Sequence, residues 1–218
     1  MTQDRAIGPV MEVEPRKPKD FGSRKPPGPP LGVPEPVVGN ARLAFMMFLA
    51  AEAMFFAGLV GAFLVFRLSA EIWPPSFQPR LPVFVTGVNT VILLLSGVTM
   101  RLALQAVRRD NPARVIAWLG MTVTLGAVFL LIQGYEWIRL IQFGLTVKSG
   151  IYGATFYTLI GCHGLHVLGA VIWLTLVLIG ARRGRYSAQS YTGIQICAMY
   201  WTFVVALWPI LYGLVYLY

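Results

Sequence analysis

The sequence predicts an all-α membrane protein that crosses the bilayer five times. Three observations predict it: an apolar composition, five apolar runs of spanning length, and a lopsided distribution of basic residues. Of 218 residues, 56% are hydrophobic and 12% are charged, about half the charged share of a soluble domain. The mean hydropathy is +0.66. A net charge of +9 invites a nucleic-acid reading, but the basic residues form no single stripe and no nucleic-acid partner is expected. Cys162 and Cys197 both lie in apolar runs and read as small buried hydrophobes rather than a disulfide or metal pair.

Residues 1–40 hold nine of the fifteen prolines, five of the nine acids and six of the eighteen bases. The run Lys25-Pro26-Pro27-Gly28-Pro29-Pro30 cannot form a helix or a sheet core. This stretch reads as an extended or disordered cytoplasmic tail, not a cleavable signal peptide. The membrane domain is expected over residues 41–218.

The first apolar segment runs over about 42–68, long enough to span at roughly 1.5 Å per residue. The second, about 82–107, opens on Pro82, tolerated at a helix start because its missing N–H would find no partner there. The third (113–140), fourth (151–180) and fifth (191–218) follow on short connections. Backbone groups have no water to bond in the bilayer core, so these runs are expected to be helices. Pro209 is expected to kink the fifth. Small residues (Ala57, Gly58, Gly61, Gly161, Gly164, Gly169) are expected to allow close helix contact.

Charge sets the orientation. Fourteen of the eighteen bases fall in the tail, at Arg42, and in the 2–3 and 4–5 turns; four fall on the other side. The positive-inside rule then places the N-terminus in the cytoplasm and the C-terminus outside. Trp73, Trp137, Tyr216 and Tyr218 fall near the outer interface, where amphipathic rings are favoured.

The informative residues are the polar ones inside the spans. Glu52 lies about ten residues into the first segment, roughly 15 Å from its inner end. A carboxylate at that depth costs roughly 2.5–3.5 kcal/mol on insertion scales. His163 lies at a comparable depth on the fourth segment, so Glu52 and His163 are expected to meet if those helices pack together. His166 follows three residues on, and Gln133 and Glu136 form a similar pair on the third segment, with Arg139 one turn beyond Glu136. Carboxylates and an H-x-x-H pair are metal-ligand types, but no span carries Glu-x-x-His and the ligand count is thin. Two histidines on one helix face cannot straddle a haem iron, and no C-x-x-C-H is present. No metal or redox centre is expected. The histidines read more simply as hydrogen-bonded ties between helices.

Several strings, in order, resemble one family. They are Glu52-Ala53-Met54-Phe55-Phe56-Ala57-Gly58, Trp73-Pro74-Pro75, Val88-Asn89-Thr90, Ser96-Gly97-Val98 and Gln133-Gly134-Tyr135-Glu136-Trp137. Gly150-Ile151-Tyr152-Gly153-Ala154-Thr155-Phe156-Tyr157, Gly161-Cys162-His163-Gly164-Leu165-His166-Val167 and Tyr200-Trp201-Thr202-Phe203 complete the set. Over about 42–218 the chain resembles subunit III of the haem–copper oxidases, which use cytochrome c or quinol, in its five-helix form.

The resemblance implies two helix groups around a V-shaped cleft filled with phospholipid, no catalytic centre in this chain, and haem and copper in partner subunits. It implies oxidase subunits I and II as partners in a bacterial cell membrane. Glu52 matches the family's functional membrane carboxylate, and His163, His166, Gln133 and Glu136 are expected to form an intramembrane polar network with it. The family's role is support of subunit I stability and of proton uptake during oxygen reduction. The chain departs from the family at Thr202 and Val205, where relatives carry His and Asp. The proline-rich tail is a further departure and suggests contact with other respiratory complexes. Two rival readings are an accessory protein of a nitric oxide reductase and a small transporter; the latter lacks an inverted repeat or broken helix pair.

Overall fold

The computed structural model describes residues 40–73 and 81–217; the tail, Asn40 apart, and Tyr218 lie outside them. Five helices follow one another: α1 (Asn40–Leu68), α2 (Val83–Arg108), α3 (Pro112–Gln142), α4 (Ile151–Arg182) and α5 (Thr192–Tyr212). All are long and apolar enough to cross a membrane, α5 counted together with the π-helical turn Gly213–Leu217.

The boundaries have local causes. Pro82 precedes α2, whose first free backbone N–H groups it does not compete with. Asn111 caps α3 by accepting a hydrogen bond from the Arg114 backbone N–H at 3.1 Å, with Pro112 at the first helical position. Gly150 enters α4 at φ +106°, a conformation that a Cβ would strain. Pro209 lies inside α5, and the chain turns π-helical four residues later, consistent with the backbone bond a proline removes.

Helices α2 to α5 form the bundle, with α2 and α3 most extensively packed. Leu93, Leu119, Ile160, Leu174, Trp201 and Trp208 are fully buried within it. Helix α1 stands outside, against α4 and α5; of its 29 residues only Phe56 and Phe63 are buried. The division is therefore one helix against four, with a groove on each side of α1. One, of about 230 Å³, runs between α1 and α4 past Phe63 and Thr158. The other, of about 530 Å³, lies between α1, α2 and α5.

Helices in lipid gain little from apolar burial alone and rely on close packing and interhelical hydrogen bonds. The α2–α5 seam shows both. The Trp201 indole donates to Ser96 Oγ at 3.2 Å and the Trp208 indole to Thr90 Oγ1 at 2.8 Å. Thr99 and Thr122 hydroxyls share a hydrogen bond at 2.8 Å across α2 and α3, and Asn89 Nδ2 donates to the Phe129 carbonyl at 3.1 Å. A close approach between helices falls at Gly126, unmarked by the sequence reading. A Cβ there would lie 2.6 Å from the Trp201 ring and 3.0 Å from Val171, so α3, α4 and α5 meet at that point. Gly164 packs similarly on Trp137, but Gly58, Gly61 and Gly169 face open space. The expectation of close contact there is corrected: these glycines lie on faces that no helix among the described residues covers.

The 2–3 and 4–5 turns lie together, as alternate spans require. Asp110 Oδ1 accepts from the Ala188 backbone N–H at 3.3 Å, and Tyr186 fills the space beside Gly180 and Gly193. At the opposite end Trp73 packs edge-on against Phe63 and Tyr152, with the Arg67 guanidinium 5.9 Å from its ring centre. Tyr216 lies in the π-helical turn at the end of the fifth span. It is buried against Phe156 and Trp208 and accepts a hydrogen bond from Gln133 Nε2 at 3.3 Å. Tyr218 lies outside the described residues.

Candidate functional site

Glu52 does not meet His163. Its Oε2 lies 2.9 Å from Nε2 of His166, joining α1 to α4. The two histidines are three residues apart, so their side chains point about 60° apart around α4. His163 faces the bundle interior and is fully buried; His166 faces α1.

The geometry determines how the pair holds its proton. His166 Nδ1 lies 2.6 Å from the Cys162 carbonyl oxygen. A carbonyl only accepts, so Nδ1 carries hydrogen and donates. Nε2 then meets Glu52 in one of two equivalent ways. A protonated Glu52 donates to a neutral ring, or an imidazolium donates to a carboxylate. Either way one proton is shared and the pair is neutral as a unit, which lowers the cost of placing it at membrane depth. The pair is thus a latch between α1 and α4.

Aromatic rings wall the site. Phe55 stacks over the His166 ring with centroids 6.1 Å apart, and Phe56 meets it edge-on at 5.0 Å. The side chains of His166 and Glu52 remain 22% and 19% exposed, so the pair is accessible from one side.

The other candidates lie elsewhere. His163 stacks on the Trp208 indole with centroids 5.0 Å apart. Neither of its ring nitrogens has a hydrogen-bond partner among the described residues. The expectation that it is hydrogen-bonded between helices is corrected, because Trp208 spends its single N–H on Thr90 and offers His163 only a ring face. Gln133 and Glu136 are buried on α3. Gln133 donates to Tyr216, and Glu136 lies 3.9 Å from Arg139. Among the described residues no hydrogen bond links these side chains to Glu52, His163 or His166. The same residues contain no group of three or more His, Cys, Asp or Glu that could hold a metal ion.

Comparison with known proteins now decides the family. The family model for cytochrome c oxidase subunit III matches residues 34–218. The chain is 38% identical over 173 residues to cytochrome c oxidase subunit 3 of a Synechocystis species, covering 79% of this chain and 73% of the relative. It is 35% identical to the Thermostichus vulcanus protein of that name, covering 80% and 86%, and 34% identical to the Bacillus subtilis one, covering 82% and 86%. The chain belongs to the cytochrome c oxidase subunit III family. Membership supports subunit III of a haem–copper oxidase in a multi-pass membrane setting and favours neither the nitric oxide reductase nor the transporter reading.

Within this family frame the two departures on α5 have different surroundings. Val205 is buried, and its Cγ1 would lie 3.2 Å from a Cβ on Gly97 of α2, so this site is an apolar contact. Thr202 is exposed and lines the groove between α1, α2 and α5. Sequence reasoning quoted Asn89, Thr90 and Ser96 only as parts of family strings. They lie on one buried stripe of α2 with Thr86 and Thr99. Their recurrence at three-, four- and seven-residue intervals was the signal that could have marked them as a polar seam.

Proposed function

We propose that this chain is the non-redox subunit III of a respiratory haem–copper terminal oxidase that reduces oxygen to water and pumps protons. It lies beside subunits I and II in a bacterial cell membrane, N-terminus cytoplasmic and C-terminus outside. It contributes helix packing, bound phospholipid and support for proton supply; haem and copper belong to its partners. Glu52 is the functional carboxylate, and His166 holds it. Gln133, Glu136 and His163 are the accompanying polar residues of the membrane interior, and the tail offers a contact for other respiratory complexes.

The observation that carries this reading is the Glu52–His166 hydrogen bond, on the one helix that stands apart from the bundle, in a chain of this family. A carboxyl–imidazole pair with one shared proton and one open side suits a group that takes up and returns protons without a metal.

The test compares the purified oxidase with and without this chain over many turnovers. The complex lacking it is expected to lose activity earlier. Equal working lifetimes would overturn the functional part of the proposal. Glu52→Ala is expected to leave assembly largely intact.

A further inference from the structure

We propose that Phe56 is a partition that assigns Glu52 to His166 and keeps it from His163, a second imidazole one turn away on α4. The inference deepens the role given to Glu52 above and rests on that reading. It makes a ring with no polar atom a positioning residue for the pair.

The register of α1 against α4 places the four side chains. Five successive crossings make these two helices antiparallel. Glu52 lies beside His166. Phe56 follows one turn on, about 6 Å along α1 and about 40° around it, while His163 precedes His166 by about 4.5 Å along α4. Phe56 and His163 therefore share the next level toward the end of α1. The ring contacts agree. Phe56 meets His166 edge-on at 5.0 Å and His163 edge-on at 6.4 Å, and lies 6.4 Å from Phe203 of α5. It is 1% exposed, on a helix that otherwise buries only Phe63.

Chemistry alone gives Glu52 no reason to choose His166. The two imidazoles are identical, and His163 is the one with hydrogen bonds still to make. Both of its nitrogens are buried without a partner among the described residues, whereas His166 Nδ1 already donates to the Cys162 carbonyl. Unpaired buried polar atoms carry a free-energy penalty, so a carboxyl free to move would be drawn to His163. Trp208 covers one face of His163 from α5, and Phe55 stacks over His166. Among the described rings only Phe56 meets both. The other titratable group in electrostatic contact with Glu52 is the Tyr200 hydroxyl of α5, and His163 senses the charge of His166. Exclusion by the Phe56 ring selects the partner. The pair keeps an open side while His163 is fully buried, so Phe56 also confines proton exchange at Glu52 to that side and stops it short of the bundle interior.

The test uses the full chain in detergent with isotope-labelled histidine, read by magnetic resonance of the ring nitrogens. His163→Phe and His166→Leu assign the signals, and Glu52→Gln is the probe. With Phe56 present, the probe is expected to shift the Nε2 signal of His166 and to leave both His163 signals in place. With Phe56→Ala, which opens the space to Glu52 and to water, the same probe is expected to shift a His163 signal. Phe56→Met refills the space and should behave as the unchanged chain. Phe56→Val stops short of both imidazoles and serves if Phe56→Ala folds poorly. A packing role alone would lower stability without passing the change at Glu52 on to His163.

A His163 shift with Phe56 present, or none with the ring removed, would overturn the partition and leave the Glu52–His166 pair standing. No His166 shift in the chain that keeps Phe56 would reject the pair and the partition together. The working lifetime of the oxidase is measured separately, so either failure is distinct from failure of the oxidase role.

Discussion

Replacing His166 with leucine tests the latch directly. The substitution keeps an apolar side chain of moderate size and removes the partner of Glu52. Two effects compete. An interhelical hydrogen bond in a membrane protein averages about 0.6 kcal/mol and reaches about 1.7 kcal/mol. Leaving a buried polar group unpaired adds about 1–3 kcal/mol, but the Glu52 side chain is 19% exposed, so only the low end applies. The expected loss is about 1–2 kcal/mol. For a chain of this size that lowers the unfolding midpoint by roughly 2–8 °C, measured by the helical circular dichroism of the full chain in detergent.

The controls follow from the proton count. Glu52→Gln keeps an N–H to donate to the lone pair on Nε2, so it should cost under about 0.5 kcal/mol. Combining Glu52→Leu with His166→Leu removes both polar groups together, so the pair should be less destabilised than the sum of the single changes by about 0.6–1.7 kcal/mol. Additivity within about 0.3 kcal/mol would refute the latch, because side chains that do not interact add. A Glu52→Gln variant as unstable as His166→Leu would refute the assigned proton positions.

Further outcomes follow from the bundle. Gly126→Ala forces a methyl group into the Trp201 ring, which its bond to Ser96 holds in place; a loss of about 1–3 kcal/mol is expected, partly recovered with Trp201→Phe, and thermal unfolding measures both. Ser96→Ala removes the acceptor of the Trp201 indole and should cost about 1 kcal/mol, read from the same unfolding curves. Val205→Asp restores the family's acid at a buried contact with Gly97; at roughly 2.5–3.5 kcal/mol it should sharply lower the yield of folded chain in membranes.

How far the sequence could be read depends on the kind of information each feature carries. The five spans were legible because the hydropathy of a window is a local property. The third span, expected over 113–140, is Pro112–Gln142, and the fourth, expected over 151–180, is Ile151–Arg182. The end residues differ by two; in α4 the extension ends on Arg182, whose side chain can reach back to water while its backbone stays helical. Glu52 was legible as a functional candidate for the same local reason, a carboxyl within a span.

Its partner was not. Helix α4 is apolar nearly all round, so no periodicity marks which face turns inward. His163 and His166 are chemically identical in the sequence, and helix rotation alone sends one to Trp208 and the other to Glu52. The tryptophan anchors of the α2 stripe lie more than a hundred residues away in the chain. The larger groove joins α1 to α2 and α5 through residues that no spacing rule connects. Length, span number and the presence of an acid in the membrane were thus determined by the chain itself, because each follows from transferring a segment from water to lipid. Which side chains touch was decided only by the packed bundle, because the rotation and neighbours of an apolar helix follow from shape and interhelical hydrogen bonds rather than from polarity.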